Sequence, residues 1–205
     1  MADKMLNIAV FASHNGSNLQ AIIDACRLGT LKARVSVVLS NNSDSRALQR
    51  AADAGIDSFH VSAKILGSDE ALDAEIGQIL DSHNTDIIFL AGYLKKIGKN
   101  VLKKYHNRVF NIHPALLPKY GGKGMFGMNV HKAVIEAKEA VSGITIHRAS
   151  QEYDDGEIVA QTMVAISPNE TAETLAAKIL AREHTFIVEV LNQIVDGTIS
   201  IGDPI

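Results

Sequence analysis

Short apolar runs alternate with segments of helical spacing along the first half of the chain. The runs of strand length cover residues 6–12, 35–39, 57–61 and 86–92. The segments in which apolar residues recur every three or four positions cover residues 19–26, 47–54 and 69–82. The fourth run is apolar at every position from 87 to 91, which is typical of a strand buried on both faces of a parallel sheet.

After residue 109 the elements follow a different order. Further strands are predicted at 109–113, 143–148 and 157–165. A glycine-rich loop over 119–127 leads into a helix predicted at about 129–139, and a long amphipathic helix is predicted over 174–195. The alternation predicts a doubly wound, Rossmann-like α/β fold, in which a mostly parallel sheet has helices on both faces and ligands bind at the carboxyl ends of the strands. We expect a single domain over 1–205.

The composition of the chain argues against several classes of function. The chain of 205 residues is 46% hydrophobic and has a formal net charge of -3, which is typical of a globular protein without a nucleic-acid-binding surface. Cys26 is the only cysteine, so no intramolecular disulfide can form, which fits a reducing compartment. Residues 1–4 are polar, and the apolar run behind them is too short to cross a membrane. We therefore expect a cytoplasmic protein, monomeric or homodimeric, that binds neither nucleic acid nor membrane.

The segment from Asn111 to Pro114 carries the first candidate chemistry. Asn111 and His113 lie two residues apart in a predicted strand, so both side chains project from one face. Asp154, in a turn about forty residues later, can complete a polar triad suited to acyl transfer, in which an oxyanion forms and a proton moves. The same residues can also have purely structural roles: Asn111 as an amide at the end of a strand, His113 as a partly buried imidazole and Asp154 as an ordinary turn residue. Both interpretations stay open at this level.

The turn Asn15-Gly16-Ser17-Asn18 directly follows the first strand and opens a helix. Its backbone N–H groups, with the Ser17 hydroxyl and the Asn18 amide, can hold a phosphate. A simple strand–helix turn in which Ser17 or Asn18 caps the helix explains the residues equally well. The residues alone therefore predict an enzyme that handles an acyl or carbonyl group and binds an anion.

Two other binding chemistries are not favoured. The loop around Lys123 lacks the glycine spacing of a P-loop, and no Ser or Thr follows this lysine. His113, His131 and His147 lack the compact spacing of metal ligands, so no metal is predicted.

The motif Asn-Ile-His-Pro-x-Leu-Leu-Pro at 111–118, followed by Asp-x-Gly at 154–156, resembles the folate-dependent formyltransferase family. The loop at 15–20 and the pair Glu183-His184 narrow the resemblance to members that formylate the primary amine of glycinamide ribonucleotide in purine biosynthesis. The resemblance implies the formyltransferase fold, 10-formyltetrahydrofolate as cosubstrate, small-molecule substrates and no metal.

The resemblance also implies roles for individual residues. Asn111, His113 and Asp154 would be the catalytic trio: Asn111 and a protonated His113 would stabilise the oxyanion, and Asp154 would favour the imidazolium and assist proton transfer. His147 would support the site. The implied substrate contacts are Gly16, Ser17, Asn18 and Glu183. The implied folate contacts are Leu90, Leu94, Lys95, Ile97, Gln151, Tyr153 and Asp154.

Three positions depart from the family pattern. Ala115 stands where Ser is common, and Lys95 stands where Arg is frequent. The loop over 121–128 is several residues longer than the usual connection. We interpret it as a cover over the substrate pocket, with a passive insertion as the alternative.

Other functions remain open within and outside this family. A formyltetrahydrofolate deformylase releases formate to water and usually carries a regulatory domain before the first strand. An amino-sugar formyltransferase shares the trio, but the loop at 15–18 argues against a nucleotide-linked sugar. A methionyl-tRNA formyltransferase would need a further C-terminal domain and a basic surface. A folate- or phosphate-binding protein without catalysis is the remaining alternative.

Overall fold

The computed structural model describes residues 5–202, so the polar residues 1–4, on which the expectation about a leader depends, lie outside the described part. The strands are β1 (Leu6–Phe11), β2 (Ala33–Ser40), β3 (Ser58–His60), β4 (Ile87–Leu90), β5 (Val109–His113), β6 (Val141–Arg148) and β7 (Ile158–Ala165). The helices are α1 (Ser17–Arg27), α2 (Arg46–Asp53), α3 (Ala63–Leu66), α4 (Asp69–Ser82), α5 (Lys99–Lys104), α6 (Met128–Glu136) and α7 (Ala172–Val195). No helix within the described range is both long and apolar enough to cross a membrane.

All seven strands belong to one sheet, in the order β3-β2-β1-β4-β5-β6-β7. The five strands from β3 to β5 are parallel, whereas β6 and β7 run antiparallel to their neighbours. The predicted mostly parallel α/β sheet is therefore confirmed. Strand order reverses between β1 and β4, and at such a point the loops at the carboxyl ends diverge and leave a crevice for a ligand.

Strand β1 is buried on both sides because helices cover both faces of the sheet. Ile8 and Val10 pack in one cluster with residues of α1 and α7. Ala9 and Phe11 point the other way and pack with residues of α4 and α5. Alternate side chains of one strand thus belong to two cores, which is why this strand reads as a continuous apolar run.

Several local features differ from the sequence-based expectations, among them the short helix α3, which was not predicted. Helix α5 was not predicted, because its start is capped from a distant helix: the Asp73 carboxylate accepts the backbone N–H groups of Asn100 at 2.9 Å and Val101 at 3.1 Å. The expected capping of α1 by Ser17 or Asn18 is wrong. Gly16 occupies the N-cap position with a φ of +66° and no side-chain cap hydrogen bond.

Candidate active site

Two side chains of β5 begin the candidate site at the carboxyl end of that strand. Asn111 and His113 lie two residues apart, and β6 runs antiparallel beside them with His147 opposite Asn111. Asp154, from the loop between β6 and β7, reaches both side chains. Its Oδ1 lies 3.3 Å from Asn111 Nδ2, and its Oδ2 lies 3.5 Å from His113 Nδ1. The structure therefore brings together the three residues predicted as the trio.

His147 orients the amide of Asn111. Its Nδ1 lies 2.8 Å from the carbonyl oxygen of Arg148, which can only accept, so Nδ1 carries the proton. The Nε2 atom of His147 can then accept, and it lies 3.0 Å from Asn111 Nδ2. The two N–H groups of Asn111 are thus directed at His147 and Asp154, which gives His147 a physical means of supporting the site.

The two ring nitrogens of the buried His113 have different partners. Nε2 lies 2.7 Å from the carbonyl oxygen of Tyr120 and must donate to it. Nδ1 faces the Asp154 carboxylate. In the neutral ring Nδ1 can accept a proton, and the imidazolium that results meets a carboxylate oxygen. This geometry suits proton uptake followed by electrostatic stabilisation of the charged ring.

Burial lowers the pKa of His113 below its ordinary value, even though Asp154 and the Tyr120 carbonyl both favour the charged ring. The neutral form therefore predominates at neutral pH. The sequence-based expectation that the His113 ring is commonly protonated at neutral pH is wrong, because its pKa is lowered and not raised. The loss of water around the ring outweighs the nearby carboxylate.

Asp154 remains ionised at neutral pH. Burial pushes the pKa of Asp154 upward, but the nearby imidazoles of His147 and His113 and the hydrogen bond from the backbone N–H of Gly122 together bring this pKa below its ordinary value. The N–H of Gly122 donates to Asp154 Oδ2 at 2.9 Å. The glycine-rich loop is therefore joined directly to the trio.

Gly156 allows the Asp154 loop to lie against β6. A Cβ atom at this position would clash with the backbone carbonyl of Arg148, so only glycine permits the approach. Since Arg148 follows His147 in β6, this close contact places the aspartate beside the strand that orients Asn111.

A cavity of about 380 Å³ opens over the trio. Its other walls come from the loop after β4, from α1 and α7, and from the glycine-rich loop. Residues 122–127 all line this cavity. The long loop thus forms one wall of this cavity, and its interpretation as a cover stays a prediction.

Asn18 and Glu183 form one buried wall of this cavity, and Asn18 Nδ2 donates to Glu183 Oε2 at 3.0 Å. The Oδ1 atom of Asn18 is buried and has no hydrogen-bond partner among the described residues. Gly16 and Ser17, predicted with Asn18 to contact the substrate, do not line this cavity. Gly16 instead packs so tightly that a Cβ there would lie 2.8 Å from the Ala47 Cβ.

Replacing Glu183 with glutamine is expected to stabilise the protein at neutral and alkaline pH. Burial raises the pKa of Glu183 from 4.5 to about 7, although the hydrogen bond from Asn18 opposes the change. Between pH 4.5 and about 7 the folded chain binds more protons than the unfolded chain, so the free energy of unfolding falls as the pH rises through this window. Glutamine binds no proton in this range. The free energy of unfolding of the variant should therefore exceed that of the parent by up to about 3 kcal/mol above the window, and should equal it below the window.

Thermal unfolding across this pH range measures the difference between the Glu183→Gln variant and the parent chain. Glu136→Gln, on the exposed surface of α6, is the matched control and should leave the pH dependence unchanged. A difference that stays constant across the window would show that Glu183 titrates alike in the folded and unfolded chains.

The predicted folate contacts are divided among four cavities, since Lys95, Ile97 and Tyr153 also line a cavity of about 920 Å³. A small cavity of about 40 Å³ beside the trio is lined by Leu90, Lys95, Ile97, Tyr153 and Asp154. Leu94 lines the 380 Å³ cavity instead. Gln151 is exposed and lies on a separate cavity with residues of α5, so the structure does not bring it to the other predicted contacts.

The 40 Å³ cavity has room for only a few water molecules. Lys96 holds its outer wall: Nζ lies 3.0 Å from Glu152 Oε2 and 5.3 Å from the centroid of the Tyr153 ring. A fused-ring ligand is too large for this small cavity as it stands, whereas the 920 Å³ cavity that shares Lys95, Ile97 and Tyr153 has more room.

Sequence reasoning missed the backbone partners of the trio. The Tyr120 carbonyl and the Gly122 N–H each bind one trio member, yet a backbone group leaves no residue-type signal. The available signal was the position of a glycine-rich loop directly after the Asn-Ile-His-Pro motif. Lys96 was also missed, because its role depends on a contact with a loop about sixty residues away in sequence.

Comparisons with known proteins agree with this geometry. Residues 6–191 match the formyl transferase family. The chain is 39% identical over 193 residues to the chloroplastic phosphoribosylglycinamide formyltransferase of Arabidopsis thaliana, covering 94% of this chain and 66% of that protein. It is 34% identical over 198 residues to the Escherichia coli phosphoribosylglycinamide formyltransferase, covering 97% of this chain and 91% of that protein.

Solved structures extend the similarity to the fold. Glycinamide ribonucleotide transformylase 1 from Symbiobacterium toebii has a TM-score of 0.89 at 33% identity, with 100% of this chain and 97% of that chain covered. A formyltetrahydrofolate deformylase from Pseudomonas syringae has a TM-score of 0.83 at 20% identity, with 98% of this chain and 65% of that chain covered. The second similarity concerns the fold alone.

Proposed function

Since this chain belongs to the formyl transferase family, we propose that it transfers the formyl group of 10-formyltetrahydrofolate to the primary amine of glycinamide ribonucleotide. The observation that carries the proposal is the trio of Asn111, His113 and Asp154 at one 380 Å³ cavity. Relatives that share most of this chain's length are named for the same activity. The buried pair Asn18 and Glu183 supplies further polar groups to the same cavity for an amine substrate.

The amine nitrogen would attack the formyl carbon and form a tetrahedral oxyanion. Asn111 would turn the N–H that is now directed at Asp154 toward this oxygen, while its second N–H keeps the shorter contact to His147. The neutral Nδ1 of His113 would take the proton that the amine loses. Asp154 would stabilise the imidazolium until the proton passes to the folate nitrogen, as the carbon–nitrogen bond to the donor breaks.

The domain and location proposals rest on different observations. The family match over 6–191 and the single seven-stranded sheet support one domain over 1–205. The lone Cys26 supports a reducing compartment such as the cytoplasm. No group of three His, Cys, Asp or Glu side chains within 5–202 is arranged to hold a metal ion, and the proposed chemistry uses none.

The function is tested by following the formyl group of 10-formyltetrahydrofolate with and without glycinamide ribonucleotide. We expect donor consumption only in the presence of the ribonucleotide, with one formylated product formed for each donor consumed. Formate release without the acceptor would replace this proposal with the deformylase. Turnover only with a nucleotide-linked amino sugar would replace it with the sugar formyltransferase, and binding without any turnover would leave a folate-binding protein.

A further inference from the structure

The loop that carries Asp154 runs from the end of β6 at Arg148 to Glu157, directly before β7. Two hydrogen bonds join its ends: the backbone N–H of Arg148 donates to the carbonyl oxygen of Glu157 at 2.8 Å, and Arg148 Nε donates to Glu157 Oε2 at 2.8 Å. Arg148 thus closes the base of the loop with both its backbone and its side chain.

The rest of the Arg148 guanidinium binds the two segments beside this base. Its Nη1 donates to the carbonyl oxygen of Asn107, in the turn before β5, and its Nη2 donates at 2.9 Å to the carbonyl oxygen of Ser200, in the segment after α7. The central carbon of the guanidinium lies 5.5 Å from the centroid of the Phe110 ring, and Phe110 directly precedes Asn111 in β5. The side chain is 16% exposed and each of its three nitrogen atoms has a partner, so its position is fixed.

The loop itself has no regular structure that would hold Asp154. Residues 149–156 form neither helix nor strand, and Asp154 has a φ of +55°, in the left-handed region. A residue other than glycine keeps such a conformation only where surrounding contacts hold it. The ion pair between Lys96 and Glu152, on the outer side of the loop, is exposed at both residues and therefore contributes little. Arg148, with its four donated hydrogen bonds, supplies the firmer anchor.

We propose that Arg148 is a positioning residue for formyl transfer, and that it holds the Asp154 carboxylate beside His113 by fixing the base of this loop. The inference rests on the proposed function. Arg148 does not line the 380 Å³ cavity, so it acts through Asp154 and not on a substrate. Asp154 Oδ2 lies 3.5 Å from His113 Nδ1, and a displacement of about 1 Å can lower the rate of a catalysed step about a hundredfold.

Replacing Arg148 with methionine tests this role, because methionine keeps an unbranched apolar side chain over Phe110 and removes the charged donors. We expect kcat to fall about ten- to a hundredfold, while KM for the ribonucleotide stays within about threefold of the parent value. Arg148→Lys keeps the charge but not the planar fork of donors, so it should recover only part of kcat. A parent-like kcat in Arg148→Met would overturn the inference.

The pKa of His113, measured by NMR titration of its ring, gives a readout that does not depend on turnover. The titratable neighbours of this ring are Asp154, His147 and His131. Removal of a nearby cation would raise the pKa of His113, whereas displacement of Asp154 removes a carboxylate that raises this pKa and therefore lowers it. Arg148→Met should lower the pKa of His113, in the same direction as Asp154→Asn. An unchanged or raised pKa would mean that Arg148 does not act through Asp154.

A double-mutant cycle shows whether Arg148 and Asp154 act as one unit. In the Asp154→Asn background, Arg148→Met should lower kcat by no more than about twofold, because the carboxylate that it positions is already gone. An equal loss in both backgrounds would show that Arg148 acts independently of Asp154, and would overturn the inference.

Arg182→Met is the matched control. Arg182 of α7 pairs with Glu189 at 2.8 Å and donates to the Thr162 hydroxyl at 3.2 Å. It does not line the 380 Å³ cavity, and its hydrogen bonds go to none of the residues 149–156. This variant should keep the parent kcat and the parent pKa of His113. The same changes as in Arg148→Met would show a general effect of losing a paired arginine, and would overturn the inference.

Glu157→Ala decides the question if Arg148→Met does not fold, because it removes only the ion pair at the base of the loop from an exposed position. We expect kcat to fall about two- to fivefold, the effect of one exposed ion pair, with a lowered pKa of His113. Parent-like values of both quantities would overturn the inference. A parent chain inactive with the ribonucleotide would refute the proposed function, while the pKa of His113 would still decide whether Arg148 positions Asp154.

Discussion

Replacing Asn111 with alanine is expected to lower kcat for formyl transfer by about 10²–10³, the usual effect of removing one oxyanion donor. His147 holds the amide at 3.0 Å, and the N–H that now lies 3.3 Å from Asp154 would turn to the oxyanion. Donors aimed at a charge that develops only in the transition state change kcat more than KM. The loss should therefore appear in turnover at saturating substrate.

Steady-state kinetics at several acceptor concentrations measure the split between kcat and KM. Asn192→Ala, at a half-buried position of α7 whose amide donates to the Thr30 carbonyl, removes the same chemical groups outside the trio and should leave turnover unchanged. The melting temperature of Asn111→Ala should stay close to that of the parent, which separates a catalytic loss from unfolding. Turnover near the parent rate in a folded Asn111→Ala variant would remove this residue from the trio.

The sequence predicted those strands and helices whose own residues show an apolar pattern. Strand β4 is apolar at each of its residues, both of its faces are covered, and it lies within the strand predicted at 86–92. Helix α5 has two apolar residues and depends on the Asp73 carboxylate of α4 for its cap. No pattern within its own sequence specifies such a cap, so it could not be predicted.

The same distinction holds within the candidate site. The spacing of Asn111 and His113 predicts a shared face from strand geometry alone. Asp154 joins them through a loop whose path depends on the close approach of Gly156 to β6, so the sequence alone could name it only as a candidate third member. The protonation of His113 depends on burial against the whole cavity wall. Burial of that kind follows from tertiary packing and not from neighbouring residues.

The loop at 121–128 shows how an insertion acquires a role through contacts that its sequence does not reveal. Its glycines suggested a lid, but the physical link is the hydrogen bond from Gly122 to Asp154. Movement of this loop would change both the shape of the cavity and the hydrogen bonds of the Asp154 carboxylate.

Asp154→Asn is expected to lower kcat at least as far as Asn111→Ala, by about 10² or more. The asparagine keeps the shape and can still accept from the Gly122 N–H, but it removes the charge that faces His113. The imidazolium formed during the reaction then loses its stabilising partner. Asp155→Asn removes an equal charge one residue away, at an exposed position, and is the matched control.

The pH profile distinguishes this electrostatic role from a purely structural one. In the parent chain, activity should fall as the pH drops below the ordinary His pKa of about 6.5, because the ring must begin neutral to accept the proton. Asp154 raises the pKa of His113 against the larger effect of burial, so removing the carboxylate lowers that pKa further. The acid limb of the residual activity of Asp154→Asn should therefore shift to lower pH. An unshifted limb with an intact melting temperature would mean that Asp154 positions the loop without acting on the charge of His113.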